Sequence, residues 1–284
     1  MSHLLTTKKN EALDAAVAKA SRNQRSTRPQ EEEQTTPQER LWTAAEKGQL
    51  EALREACSSA DLDARRPADG LAALHLACIR GSDGAVATLL RAGASVRAED
   101  ASGRTALAWA AAAPIRSTAC IELLYAHDAR DDSATVDGLS VLHLASQGNA
   151  RAVAYFVDVK DFDVDQRALT EKRPTPLMLA SKAGAVAAAK ALLRRGADVD
   201  ASATDGATSL HAAAAAGQTA VARLLLKRGA NALAQDAKGE FPSQACPKTP
   251  RGRALKYSLS RAERRAWLRL EREFGGVEPP DAVA

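Results

Sequence analysis

Three histidines, His75, His143 and His211, are the first residues that could do chemistry. Imidazole is the commonest metal ligand and general base. Each lies in a similar string: Leu74-His75-Leu76-Ala77, Leu142-His143-Leu144-Ala145 and Leu210-His211-Ala212-Ala213. Their spacing argues against catalysis and metal binding. They are far apart in the chain, with no cysteine or carboxylate at zinc-ligand spacing. His3 and His127 are equally isolated. The run Asp161-Phe162-Asp163-Val164-Asp165 imitates the start of a calcium loop, which needs Gly at its sixth place and Glu at its twelfth. Those places hold Gln166 and Lys172. The chain has no phosphate-cradling Gly-rich loop, nucleophile elbow, zincin helix or zinc knuckle. Nothing sets a nucleophile beside a base. No catalytic, cofactor-binding or metal-ligating residues are expected, and no cofactor.

The elements behind these strings must then be the point of the chain. Of 284 residues, 45% are hydrophobic but only 4% aromatic. Such a core is built from Ala, Leu and Val, which suits helices packed closely together. Cys57, Cys78, Cys120 and Cys246 form no CxxC pair and suggest reduced thiols in a cytoplasmic compartment. Glu11 and Asp14 argue against a mitochondrial presequence. No apolar run approaches a membrane span. The net charge of +4 is uneven: residues 247–284 carry nine basic and five acidic side chains, whereas the middle of the chain is close to neutral.

The histidine strings belong to a longer period. Leu107-Ala108-Trp109-Ala110 and Leu177-Met178-Leu179-Ala180 fall between them, and the leading leucines are spaced by 33, 35, 35 and 33 residues. Four residues before each leucine stands Gly70, Gly103, Gly138, Arg173 or Gly206. Each unit reads as a turn, a short helix, a small breaking residue such as Gly81 or Gly217, and a second helix with a Leu pair. Leu89-Leu90, Leu192-Leu193 and Leu224-Leu225 are such pairs, expected to be buried, and Gly93-Ala94, Gly196-Ala197 and Gly229-Ala230 close the units. One helix pair cannot bury its apolar face alone, so the units must stack. Weaker copies at Leu41 and Gly239 bring the count to six or seven.

These strings, with Thr175-Pro176-Leu177 and Arg195-Gly196-Ala197-Asp198-Val199-Asp200-Ala201, resemble the ankyrin repeat. The resemblance implies an all-α solenoid with β-hairpin fingers and a histidine ring hydrogen-bonded to a neighbouring loop. It also implies a protein-binding scaffold or adaptor that uses the concave face and fingers, and no enzyme. The solenoid is expected over residues 39–246, with degenerate terminal repeats. Before it lies a flexible arm, residues 1–38, with a short helix within 9–20. The third unit has Pro114 where Gly belongs. The fourth lacks the Gly-Ala exit, so an irregular loop or bend is expected there.

Mapping the family's contact positions places partner-binding residues at Leu71, Ile79, Arg80, Arg104, Val136, Leu139, Lys172 and Lys182. Leu71, Ile79, Val136 and Leu139 are apolar where exposure is expected, which predicts a hydrophobic patch. Past residue 247 the chain turns basic. Residues 247–276 are read as a basic amphipathic helical segment, followed by a disordered tail at 277–284. Ser260-Arg261-Ala262-Glu263 has capping-box spacing, which sets the helix start at Ser260, and Gly275-Gly276 stops it. Ala266, Trp267, Leu270 and Phe274 share one face, and Arg261, Arg264, Arg265 and Arg269 surround it. This helix either caps the last repeat or meets a partner: an acidic protein surface, nucleic acid or anionic lipid. The last reading would make the chain a stably incorporated subunit of a large assembly.

Overall fold

The computed structural model describes residues 36–113, 118–130 and 138–274. Thirteen helices occur among them. Twelve form six pairs: α1 (Pro37–Lys47) with α2 (Leu50–Ala56), α3 (Ala73–Arg80) with α4 (Asp83–Arg91), and α5 (Ala106–Ala112) with α6 (Ala119–Ala126). Then come α7 (Val141–Ser146) with α8 (Ala150–Asp158), α9 (Pro176–Ala183) with α10 (Val186–Arg194), and α11 (Ser209–Ala215) with α12 (Thr219–Lys227). A long α13 (Pro250–Phe274) ends the described chain. Residues 1–35 of the N-terminal arm, Pro114, Val136 and the tail lie outside the described residues, whereas residues 37 and 38, read from sequence as the end of the arm, already belong to α1.

Helices this short are marginal alone in water, and stacking supplies their stability. The first helices of successive pairs pack in one continuous row. Leu74, Leu107, Leu142, Leu177 and Leu210, the leucines of the sequence period, are all buried within it. In the second-helix layer Leu89, Leu90, Leu192 and Leu225 are buried, whereas Leu193 and Leu224 are half-buried. The Leu pairs straddle the edge of the core.

Side chains fix the helix starts. Thr36 caps α1 with a reciprocal box to Glu39, so the solenoid begins just before residue 39. Thr105 and Thr175 cap α5 and α9 by accepting the N–H of Ala108 and Met178. Gly81 and Gly184, at φ +73° and +75°, end α3 and α9 in the left-handed conformation.

The seam between the third and fourth repeats differs. The backbones of α6 and α8 approach less closely than other neighbouring second helices. Bulk fills the space. Tyr125 and Tyr155 lie with ring centroids 6.1 Å apart, and the Lys160 ammonium sits 3.6 Å over the Tyr125 ring. The buried Asn149 side chain caps α8 and donates to the Ala113 carbonyl at 2.8 Å, tying the two repeats together. The missing exit glycines are replaced by Asp128 and Asp161, at φ +62° and +57°.

Candidate protein-binding surface

The turns before each first helix are the fingers. Each closes on itself: Asp100 N–H donates to the Arg104 carbonyl, Ala203 to Ala207 and Asp236 to Glu240. Among the described residues the fingers pair only as isolated bridges, Glu99 with Thr105 and Ser202 with Thr208. Consecutive fingers are joined by backbone bonds, Leu169 N–H to Gly138 O at 2.8 Å, Thr204 to Lys172 O at 2.9 Å and Ala237 to Asp205 O at 2.8 Å. Gly70 shows how tight the stack is. A Cβ there would lie 2.6 Å from the Ala101 Cβ.

The histidines hold the fingers to the helices. In each, Nδ1 accepts the N–H of the helix N-cap residue: Ala72, Ser140 or Thr208. Nδ1 is therefore unprotonated, and Nε2–H donates to a carbonyl of the following finger. The acceptors are Ala98 at 3.0 Å, Pro174 at 3.2 Å and Glu240 at 3.0 Å. Burial pushes the imidazoles of His75 and His143 below their ordinary value. A second ladder, missed in the sequence, is made by carboxylates. Asp63, Asp165 and Asp200 each accept a backbone N–H from the next repeat, those of Ser95, Asp198 and Asn231. The signal was an Asp recurring after the exits of the first, fourth and fifth units, obscured in the fourth by its likeness to a calcium loop.

One finger departs from the rest. In the fourth finger, between the fourth and fifth helix pairs, the closing bond runs from Ala168 N–H to the Pro174 carbonyl, spanning two more residues than in the Asp100–Arg104 or Ala203–Ala207 fingers. The surplus of that 35-residue unit lies here. The longer finger carries Leu169, 78% exposed, followed by exposed Glu171, Lys172 and Arg173. Arg173 occupies the position glycine holds in other fingers, at φ +48°. For a residue with a Cβ, that conformation costs about 1 kcal/mol.

The structure redraws the predicted patch. Leu71 is buried in the core, not exposed, because the first finger turns back at Gly70 and binds Arg66 N–H to the Leu71 carbonyl. Leu139 is half-buried against the core, and Ile79 alone of the described three is exposed, at 38%. Arg104 is half-buried with its guanidinium 5.4 Å from the Trp109 ring centroid. The Trp109 indole donates to buried Asp100 at 2.9 Å, so Arg104 braces its own finger. Lys172 pairs with Asp205 of the next finger at 3.0 Å, though it remains largely exposed. Arg80 and Lys182 point to solvent at the ends of α3 and α9.

The C-terminal helix also differs from its sequence reading. It starts at Pro250, ten residues before Ser260, with Thr249 as its cap: Gly252 N–H donates to the Thr249 hydroxyl. Its first half seats on α11 and α12 and buries Leu255 and Leu259. Glu263 accepts from the Ser243 N–H and hydroxyl, and its partial burial raises its carboxyl above the ordinary range. The seventh unit keeps its finger, but turns around Pro242–Cys246 replace its first helix. The predicted stripe is not the seat. Ala266 and Trp267 are half-buried, and Leu268 and Leu270 are 45% and 40% exposed. Arg261, Arg264, Arg265 and Arg269 are exposed. Over 25 residues the helix is about 37 Å long, so its second half overhangs the stack.

No catalytic constellation emerges among the described residues. The four thiols form no disulfide, and burial raises each of them, Cys120 to about 11. They are poor nucleophiles. An open depression of about 310 Å³ is lined by Asp165, Arg167, Asp198, Asp200 and Ser202. Its polar groups are struts: Arg167 donates to the Ser202 carbonyl at 2.7 Å, the Asp165 and Asp200 carboxylates belong to the ladder above, and the Asp198 carboxylate accepts the Asp200 N–H at 2.9 Å. No group of three His, Cys, Asp or Glu side chains is arranged for a metal ion among the described residues. None of the described helices is long and apolar enough to cross a membrane.

Helix pairs stacked in one dimension, linked by fingers and a repeated histidine bond, define a helical repeat solenoid. The family model for ankyrin repeats matches residues 41–133, 112–203 and 142–236. The chain belongs to the ankyrin-repeat family. It is similar to the human ASB11 ankyrin repeat domain, with 28% identity, a TM-score of 0.61, and coverage of 76% of this chain and 95% of that one. It is also similar to the ankyrin repeat domain of Bcl-3, described as a unique member of the IkappaB family. There the identity is 25%, the TM-score 0.55, and the coverage 78% of this chain and 98% of that one. No curated protein sequence matches the chain. Ankyrin repeats in general are protein–protein interaction scaffolds.

Proposed function

We propose that the chain is a non-catalytic adaptor whose protein partner lies across the fingers and the exposed ends of the first helices, centred on the fourth finger. The fourth finger itself carries the reading. It is longer than the fingers compared above and presents the most exposed large apolar side chain of the described residues, Leu169. It also keeps Arg173 in a conformation that glycine would adopt without cost. Backbone strain with no local structural return suits a contact residue. Arg80, Lys182 and Ile79 extend the same surface along the first helices. The test is cross-linking mass spectrometry on the native complex, followed by Leu169→Asp with Arg173→Glu. The expected result is cross-links clustered on residues 167–173 and loss of the partner at unchanged melting temperature. Cross-links elsewhere, with the partner retained by the variant, refute the placement.

One observation favours a second reading, a stably incorporated subunit of a larger assembly. The overhanging half of α13 carries half-exposed apolar side chains among exposed arginines, suited to an acidic surface. A subunit held in this way stays in its assembly through a salt wash that strips a transient adaptor.

A further inference from the structure

Charge on the second-helix layer is divided along the stack. The exposed faces of α2, α4, α6 and α8 carry five acidic side chains and three basic ones, whereas α10 and α12 carry Lys190, Arg194, Arg223 and Lys227 and no acid. Residues 190 and 194 are one helical turn apart, about 6 Å, as are 223 and 227. The two pairs are separated by 33 residues, one repeat, so they stack as a two-by-two grid. All four are exposed, and none enters an ion pair among the described residues.

Helix α13 packs against α12 and adds a second basic row. Its buried face is Leu255 and Leu259. On the opposite face Arg253, Tyr257, Arg261 and Arg264 recur at helical spacing. Tyr257 is 74% exposed between Arg253 and Arg261, one turn to either side. The second helices before this end have nothing comparable. An exposed aromatic ring spends no burial energy on the fold. Flanked by guanidinium groups, it is suited to stacking on a base while its neighbours meet phosphates.

We propose that this C-terminal end of the stack, which carries the grid on α10 and α12 and the Tyr257 row of α13, is a binding surface for single-stranded RNA. Single-stranded nucleic acid is favoured over an acidic protein for two reasons. Arginine exceeds lysine on α13 seven to one, and bidentate guanidinium matches phosphate. The exposed ring needs an unpaired base to stack on. The site is separate from the finger surface and stands whether or not the adaptor reading holds.

The experiment is fluorescence anisotropy of the full chain with a labelled single-stranded oligouridylate, titrated at several salt concentrations. Binding is expected to weaken steeply with salt, by about 0.7 in log–log slope per phosphate contact. Arg223→Glu with Lys227→Glu is expected to weaken binding at least tenfold and flatten the slope by more than one unit. Tyr257→Ala is expected to lose about tenfold with the slope unchanged, and Tyr257→Phe to restore it. Arg54→Glu, on the opposite end of the layer, is the neutral control. Ultraviolet cross-linking of the unmodified chain to thiouridine-containing RNA gives a readout free of variant misfolding, with adducts expected between residues 223 and 264. The proposal fails if oligouridylate does not bind or if adducts map elsewhere. It also fails if a polyglutamate peptide or duplex RNA binds as tightly and Tyr257→Ala has no effect. The polyglutamate outcome would assign the face to an acidic protein.

Discussion

Gly252→Ala tests how the terminal helix is held. A Cβ at this position would lie 1.9 Å from the Pro247 carbonyl oxygen and 2.9 Å from its carbonyl carbon, where real Cβ atoms keep at least 3.0 Å. The obstacle is backbone, so α13 must retreat by an ångström or more. Two effects oppose each other. Alanine favours the helix over glycine by at most about 1 kcal/mol. Retreat lifts Leu255 and Leu259, 1% and 0% exposed, off α11 and α12, and burying such a side chain is worth about 1.5–3 kcal/mol each. Loss wins, by about 2–5 kcal/mol. In a nearest-neighbour stack this loss is local and cannot exceed the docking free energy of α13. The assay is hydrogen exchange by mass spectrometry, read on peptides within 250–263 and within 175–230. Rapid exchange is expected in the first set, together with freeing of the Glu263–Ser243 bonds, and little change in the second. Protection of 250–263 equal to or above that of the unmodified chain would refute the reasoning, since propensity would then outweigh contact.

Arg173→Gly relieves the left-handed strain and should raise stability by about 1 kcal/mol or less, after the entropy glycine costs in the unfolded chain is subtracted; denaturant melts check this, and destabilisation would show that the arginine side chain supports the fold. For pH, His75 and His143 have folded values lowered by burial. The unfolded chain then binds protons first, so their contribution is complete above the unfolded value near 6.5 and is lost as pH falls through it toward the folded values. The melting temperature should drop between pH 7 and 5, and His143→Gln should flatten that slope while lowering stability at pH 7. An unchanged slope would mean that other groups govern the acid limb.

Much of the fold was legible because its signals are local and periodic. The leucine spacing located the first helices, and glycines at positive φ marked most turns and ends, since few other residues take that conformation cheaply. The binding surface was less legible. Leu71 occupies a tip position by register, but register does not say which way a turn folds its side chain. The two surplus residues of the fourth unit were visible as a length, while their place in the finger, with Leu169 at its tip, depends on which loop can lengthen without disturbing the stack. The start of α13 was misplaced because Ser260 matches a capping box, whereas Thr249 performs the capping ahead of Pro250. The charge division of the second-helix layer escaped an even count over the middle of the chain. It appears only when residues 33 apart are brought onto one face.

The seat of α13 also bears on how many copies of the chain end up together. An ankyrin stack has no intrinsic end: the last repeat presents to solvent the same kind of surface that every inner repeat presents to its neighbour. An open surface of that kind accepts the first repeat of a second molecule. Such head-to-tail contacts do not close into a ring unless the rotation permits, and otherwise run on as filaments. Leu255 and Leu259 occupy part of that surface on α11 and α12, and Glu263 binds Ser243 at its border. A helix added after the last pair thus acts as a chain terminator and limits an array built for repetition to a single length.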